Sequence, residues 1–228
     1  MPVKPPSSLD LWSAVDEYFS QALLETDAIL DAVLAASEAA GLPSHNVSPS
    51  QGKLLQILAL LRAARSVLEI GTLGGYSAIW LARGLAEGGR LVTLEADARY
   101  AEVARANFAR AGLGARIDLR VGRALESLPR LAAEGRGPFD LVFSDADKES
   151  NVEYFDWALR LSRPGTLIVV DNVVRDGKVL DPASKDPAVQ GVRRLNERVA
   201  REPRVSATAL QTVGRKGWDG MELILVRA

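Results

Sequence analysis

The sequence contains no cysteine and only one histidine among its 228 residues. A chain without cysteine has no disulfides, no thiolate metal site and no cysteine nucleophile. One imidazole is too few for the zinc sites that are built from several histidines. No apolar run approaches the roughly 18 residues of a membrane-spanning helix, and the N-terminal segment MPVKPPSSLDLW lacks the apolar centre of a signal peptide. We therefore expect a soluble, cytoplasmic protein that does not attach to a membrane.

An excess of either charge is also missing, because 28 Lys and Arg face 29 Asp and Glu and leave a formal net charge of −1. Such a chain creates no broad field that attracts nucleic acid, and we expect no nucleic-acid partner. The sequence is 47% hydrophobic and 25% charged, which is typical of a globular protein. We predict one domain over residues 1–228, with residues 1–47 as a helical extension and lid.

Regular apolar spacing predicts helices near the start of the chain. Between residues 10 and 40, Leu, Ile and Val recur at helical intervals, and Gly41 and Pro43 end that pattern. A further helix is predicted over 50–61, with Ser48 or Ser50 as its N-cap. Residues 1–9 are rich in proline and serine, and we expect them to be loose.

From residue 66 onward, short apolar runs alternate with stretches long enough for helices. The runs predict strands at 66–70, 90–95, 115–121, 139–145 and 166–171, and the stretches predict helices at 76–85, 99–111, 124–133, 151–161 and 187–201. Two extended segments, 205–213 and 221–226, flank GRKGWDG, which predicts an antiparallel hairpin with this sequence as its turn. Apolar strands that alternate with helices form parallel sheets covered on both faces. The predicted fold class is therefore α/β, a doubly wound, mostly parallel sheet with a C-terminal hairpin and N-terminal helices.

The first predicted strand leads into a glycine-rich turn formed by Gly71, Gly74 and Gly75. Glycines at such a turn let the backbone approach a ligand closely, and the amides of the following helix point to the same place. The spacing is G-x-x-G-G, whereas dinucleotide-binding folds have G-x-G-x-x-G. Glu69, two residues before the first glycine, would repel a pyrophosphate but attract the sulfonium and ammonium groups of S-adenosylmethionine. The turn therefore favours S-adenosylmethionine, although doubly wound folds of any function contain similar turns.

Glu95 ends the second predicted strand, 24 residues after Gly71. An acidic residue at about this distance accepts hydrogen bonds from ribose hydroxyls. NAD and S-adenosylmethionine share that ribose, so Glu95 does not distinguish them.

Four oxygen-bearing side chains lie at or just after the carboxyl ends of the fourth and fifth predicted strands: Asp145, Asp147, Asp171 and Asn172. Open parallel sheets bind ligands at this edge, and carboxylate and amide oxygens suit Mg²⁺ or Ca²⁺ better than zinc. Three carboxylates close together would be costly without a cation. Lys148 lies three residues beyond Asp145, and a lysine beside a dication is a candidate general base for a phenol. The alternative is that Lys148 is an ordinary lysine on a solvent-exposed face.

Four segments together, LEIGTLGGYS, FSDADK, RPGTLIVVDNVV and QTVGRKGWDG, resemble the cation-dependent class I O-methyltransferases. This family includes the catechol and caffeoyl-CoA O-methyltransferases. The resemblance extends from about residue 48 to residue 226. It implies a Rossmann-like sheet of seven strands, a phenolic small-molecule substrate with vicinal hydroxyls, and a homodimer. Two other functions stay open: a non-catalytic S-adenosylmethionine-binding protein and an NAD-dependent oxidoreductase.

The resemblance also implies a role for each site residue. The residues implied to hold S-adenosylmethionine are Val47, Glu69, Gly71, Gly75, Ser77, Glu95, Ala124, Asp145 and Asp147. Asp145, Asp171 and Asn172 are implied to bind Mg²⁺ or another divalent cation such as Mn²⁺ or Ca²⁺, and Lys148 and Asp145 are implied to be catalytic.

Two positions depart from the pattern of the family. Arg123 stands where relatives often have Asp, which puts a side-chain contact with the adenine in doubt, and Ser144 stands where an aliphatic residue is common. The sequence leaves the roles of His45, Arg175 and Trp218 open.

Overall fold

The computed structural model describes residues 7–228, and these contain one seven-stranded sheet in the order β3-β2-β1-β4-β5-β7-β6. The strands are β1 (Ser66–Ile70), β2 (Arg90–Glu95), β3 (Ile117–Val121), β4 (Phe139–Ser144), β5 (Ser162–Asp171), β6 (Val205–Gly214) and β7 (Gly217–Val226). The first five strands are parallel, and β7 is antiparallel to both β5 and β6. The predicted sheet and terminal hairpin are confirmed. The strand order reverses between β1 and β4, where sheets of this kind bind ligands.

Helices cover both faces of the sheet. They are α1 (Ser8–Leu23), α2 (Ala28–Ala39), α3 (Pro49–Leu61), α4 (Tyr76–Arg83), α5 (Ala98–Arg110), α6 (Ala124–Ala133), α7 (Asn151–Arg160) and α8 (Pro187–Ala200). Successive residues of a strand point to opposite faces, so Leu68 and Ile70 pack into one core and Val67 into the other. Burial on both faces explains why these strands are apolar at almost every position.

The N-terminal helices differ in their limits from the prediction. Ser7 and Asp10 form a reciprocal capping box, so the residues from Ser8 onward are helical although residues 1–9 were predicted to be loose. The rest of that prediction, residues 1–6, lies outside the described residues. Ser48, rather than Ser50, caps α3, and Pro49 occupies the first helical position.

The predicted hairpin turn was too long. β6 and β7 pair from Val205 with Val226 up to Gly214 with Gly217, so only two residues connect them. Glycines 217 and 220 belong to β7, where Gly220 lets backbone approach closely: an added Cβ would lie 2.5 Å from the Leu210 carbonyl oxygen. The starts of two other strands differ from the prediction. β3 begins later, after a short 3₁₀ turn at Gly114–Arg116, and β5 begins earlier, at Ser162.

No helix among residues 7–228 combines the length and the apolar character needed to cross a bilayer.

Candidate active site

The carboxyl ends of β1, β2, β4 and β5 open into one cavity of about 1410 Å³. Sites for a single drug-sized ligand usually measure roughly 300–1,000 Å³, so two small molecules can occupy this cavity together. The residues singled out from the sequence that line it are Val47, Gly71, Ser77, Glu95, Ala124, Asp145, Asp147, Lys148, Asp171 and Asn172, together with His45, Arg123 and Arg175. Glu69 and Gly75 lie behind its wall.

The glycine-rich turn forms the wall of the cavity next to β1. Gly71 has a φ of 99°, and a Cβ at this position would lie 2.6 Å from the carbonyl oxygen of Asp145. Only glycine fits there, because both the backbone angle and the contact exclude a side chain. Gly75 caps α4 with a φ of 84° and provides no side-chain hydrogen bond, so the first amides of α4 are left free beside the cavity.

Glu95, at the end of β2, holds the glycine-rich turn in place by hydrogen bonds. Its carboxylate accepts a hydrogen bond from the backbone N–H of Leu73 at 2.7 Å and another from Asp97 at 2.9 Å. Each oxygen of a carboxylate has a second lone pair, so Glu95 can still accept from a ligand. Its predicted ribose contact stays a prediction, and the structure adds a second role in holding the turn.

Glu69 lies beneath the turn and is fully buried. One carboxyl oxygen accepts a hydrogen bond from the hydroxyl of Thr93 at 2.5 Å, and the other, Oε1, has no partner among the described residues. Burial raises the pKa of Glu69 to about 8, while the hydrogen bond from Thr93 opposes the rise. An unsatisfied buried carboxyl oxygen is costly, and a cationic group reaching it would remove that cost.

The start of α6 forms another part of the cavity wall. Ala124 is its first residue, and the preceding Arg123 makes no side-chain cap, so amides at this helix start are available to a ligand. Val47, 4% exposed, contributes an apolar surface from the loop before α3.

Asp145, Asp171 and Asn172 meet at the ends of neighbouring strands. Ser144 of β4 is in register with Val170 of β5, so the two aspartates that follow stand at strand ends about 4.8 Å apart. Asn172 has a φ of 59°, a left-handed conformation that asparagine tolerates better than most residues. Its N–H donates to the Asp171 carboxylate at 2.8 Å.

The negative charges of Asp145 and Asp171 lie close together and repel each other. Asp171 is 2% exposed. Burial and then the negative charge of Asp145 raise the pKa of Asp171, and the positive charge of Lys148 opposes them. Lys148, itself 7% exposed, donates a hydrogen bond from Nζ to Asp145 Oδ1 at 2.7 Å. The lysine is therefore a buried part of the site, and the alternative of a solvated lysine is wrong.

Asp147 does not join the other two aspartates. No three His, Cys, Asp or Glu side chains of residues 7–228 are close enough to bind one metal ion, so the predicted cluster of three carboxylates is wrong. The carboxylate of Asp147 accepts hydrogen bonds from the Tyr154 hydroxyl and from the Ser150 N–H. Burial alone would raise the pKa of Asp147, but these hydrogen bonds outweigh it and lower the pKa. Asp147 lines the cavity, and its contact with the cofactor stays a prediction.

The loop after β5 is held by the terminal hairpin. Asp219 of β7 accepts hydrogen bonds from the N–H groups of Val174 at 3.0 Å and Arg175 at 3.1 Å. Trp218 packs against Gly177 and lies on β7, not on the predicted turn. The turn residues instead reach across the cavity mouth, where Lys216 Nζ donates to the carbonyl oxygen of Ser44 at 2.7 Å.

Comparison with known proteins assigns the fold and this cavity to a family. The model of the O-methyltransferase family matches residues 21–226. The chain belongs to the O-methyltransferase family. A catechol O-methyltransferase from Niastella koreensis is 55% identical over 218 residues, 95% of this chain and 98% of the relative.

Solved structures agree with that assignment. An O-methyltransferase from Bacillus cereus, in complex with SAH, is 57% identical and matches with a TM-score of 0.95 over 96% of this chain and all of its own. The O-methyltransferase TomG from Streptomyces achromogenes, in complex with SAM, is 51% identical with a TM-score of 0.94 over 98% of this chain and all of its own. The predictions of the family, of the enzyme class and of a class I methyltransferase fold are confirmed.

Sequence reasoning missed two residues of this methyltransferase site. Tyr154 lies on α7, seven residues after Asp147, which precedes a 3₁₀ turn and lies outside that helix, so no helical spacing indicated their hydrogen bond. Asp219 lies in the segment QTVGRKGWDG. Its hydrogen bonds to the loop after β5 depend on the pairing of β7 with β5, which no local pattern shows.

Proposed function

We propose that the chain transfers a methyl group from S-adenosylmethionine to one hydroxyl of a catechol-like small molecule, with the help of a bound divalent cation. The observation that carries this proposal is the meeting of Asp145, Asp171 and Asn172 beside Lys148 in the cavity that the glycine-rich turn also lines. The name of the Niastella relative and the ligands of the two solved relatives support the same reaction.

The donor half of the cavity fits S-adenosylmethionine. Glu69 provides a buried carboxyl oxygen without a partner, which suits a positively charged ligand group close to the glycine-rich turn. Glu95 retains lone pairs for ribose hydroxyls, and the open start of α6 provides amides for the adenine ring. We propose Val47, Ser77 and Asp147 as further contacts on this wall.

The oxygen ligands fit a divalent cation. Asp171 is buried beside the like charge of Asp145, a cost that Lys148 offsets only in part and that a bound cation would reduce further. Two carboxylates and one amide carbonyl match the ligand preference of Mg²⁺, Mn²⁺ and Ca²⁺. We propose that Asp145, Asp171 and Asn172 hold this ion.

The residues of the chain then have separate tasks. When bound, the dication supplies positive charge that lowers the pKa of a phenol hydroxyl, and S-adenosylmethionine supplies the methyl group that this oxygen accepts. Lys148 takes the phenol proton or stabilises the phenolate. The walls of the cavity would hold the two molecules in contact; in the transfer the O–C bond forms, the S–C bond breaks and S-adenosylhomocysteine leaves. Proximity and charge placement are thus the main contributions of the protein.

The test is methyl transfer to catechol itself, measured by chromatography of the methylated product. We expect turnover with S-adenosylmethionine and Mg²⁺, loss of turnover in EDTA, and recovery when excess Mg²⁺ is added. Asp31→Asn, at an exposed position of α2, is a matched control for Asp145→Asn and should keep the wild-type rate. Turnover that is unaffected by EDTA would refute the role of the metal.

A second measurement separates the other two functions. S-adenosylmethionine should raise the thermal unfolding temperature and NAD should not, because a ligand that binds the native state stabilises it. A shift with NAD instead would favour the oxidoreductase. A shift with S-adenosylmethionine but no turnover of any catechol would favour a binding protein without catalysis.

A further inference from the structure

Arg175 carries a guanidinium group that has no partner in the described part of the chain, residues 7–228. The residue lines the cavity four positions after Asp171, and its Nε is buried with no hydrogen-bond acceptor among residues 7–228. Two carboxylates nearby are engaged elsewhere. Asp176 forms an ion pair with Lys178 at 3.7 Å, and Asp219 accepts the backbone N–H of Arg175, not its side chain. A buried polar group without a partner is costly, so an acceptor from outside the chain would satisfy it.

The backbone holds Arg175 in an unusual conformation. Arg175 has a φ of 57° and Asp176 a φ of 55°, two successive non-glycine residues in the left-handed region. Such strain persists only where surrounding structure fixes it, and it is frequent at ligand sites. Here Asp219 accepts the N–H of Arg175, and the N–H of Asp176 donates to the Trp218 carbonyl oxygen at 3.1 Å. The terminal hairpin therefore presents this arginine to the cavity in one orientation.

Three other basic residues that line the cavity are already paired, whereas Arg123, just before α6, is exposed to solvent. Lys216 donates to the Ser44 carbonyl oxygen, and Arg215 forms an ion pair with Glu17 at 2.7 Å. Lys148 donates to Asp145. Arg175 thus differs from them in having donors in the cavity that no residue of 7–228 accepts.

We propose that Arg175 recognises a carboxylate on the acceptor, so that the preferred substrate is an anionic catechol, a vicinal diphenol whose ring bears a carboxylic acid. A guanidinium matches a carboxylate with two parallel hydrogen bonds. The position of Arg175, on the loop that continues directly from Asp171 and Asn172, places this contact on the acceptor side of the cavity. The inference rests on the proposed catechol methylation and adds a charge to its substrate.

The test compares 3,4-dihydroxybenzoate with its methyl ester in the wild type and in Arg175→Gln. The ratio of kcat/KM for the acid to that for the ester should fall about ten- to a hundred-fold in the variant, as expected for loss of hydrogen bonds to a charged group. The ester carries no negative charge, so its kcat/KM should fall less than that of the acid. Taking the ratio removes the intrinsic difference in reactivity between acid and ester, because both enzymes share it.

Two further variants make the result unambiguous. Lys185→Gln removes the same charge from an exposed side chain of the same connection between β5 and α8 and should leave the ratio unchanged. Arg175→Lys keeps the charge but loses the planar pair of donors, so its ratio should fall less than that of Arg175→Gln, and it replaces that variant if Arg175→Gln does not fold.

An acid-to-ester ratio that is the same in the wild type and the Arg175 variants would overturn this inference, and so would an equal fall in Lys185→Gln. Neither result affects the proposed function, since the ester would still be methylated. Only failure of both the acid and the ester, together with catechol, would remove the function on which the inference rests.

Discussion

Glu222 allows a quantitative prediction about stability. It lies on β7 between Val170 of β5 and Ala209 of β6, and it is 4% exposed. Its Oε2 has no partner among the described residues, and burial raises its pKa to about 7 from an ordinary value of 4.5. The folded chain therefore binds this proton more tightly than the unfolded chain. Stability from this group is complete below pH 4.5 and is lost as the pH rises to 7 and above, by a total of about 3 kcal/mol.

Glu222→Gln removes this titration. Measured by urea unfolding with tryptophan fluorescence, the free energy of unfolding of the wild type should fall between pH 5 and pH 8 by about 2 to 3 kcal/mol more than that of the variant. The absolute stability of the variant is not the test, because the new amide also lacks a partner and carries its own cost. Glu87→Gln, at an exposed position, should follow the wild type at both pH values. If Glu222→Gln and the wild type change equally with pH, this carboxyl is not buried in its neutral form and the reasoning is wrong.

The other predictions concern the site and the surface. Asp145→Ala and Lys148→Ala should each lower kcat by orders of magnitude with unchanged circular dichroism; near-wild-type turnover of either would contradict its proposed role. Gly71→Ala should lower the free energy of unfolding by at least about 2 kcal/mol in urea, because its Cβ would meet backbone 2.6 Å away at a φ of 99°. Asp219→Ala removes the acceptor of two loop N–H groups and should raise KM for the catechol while KM for S-adenosylmethionine stays constant. We also expect a homodimer, since α1 has no buried residue and several half-exposed large apolar side chains, which a second copy can cover; sedimentation of Leu11→Asp should then show more monomer than the wild type.

Much of the fold followed from local pattern, since strands buried on both faces must be apolar at almost every position. For that reason the predicted limits of β1 and β2 agree with the structure. The limits of the hairpin turn were predicted wrongly because glycine usually marks a turn, whereas Gly217 and Gly220 lie within β7. The crowding around Gly220 comes from Leu210 and Val174, which are distant in sequence, and no window of sequence contains it.

The site was predictable where a residue's position depends on a strand end, and not where it depends on the direction of a side chain. Asp145 and Asp171 were brought together because β4 and β5 are neighbours. Asp147, only two residues further, turns toward Tyr154. Glu69 follows the strand alternation and points beneath the turn, so its burial depends on packing that composition does not encode.

The position of β7 has a consequence for how the chain is made. β7 separates β5 from β6 in the sheet, although both precede it in the sequence. While the ribosome has produced β6 but not yet β7, β6 has no neighbour in the sheet, and the outer edge of β5, including Asp171, has no hydrogen-bonding partner. The nascent chain thus carries an open strand edge, a known starting point for misassembly, until β7 enters between the two strands.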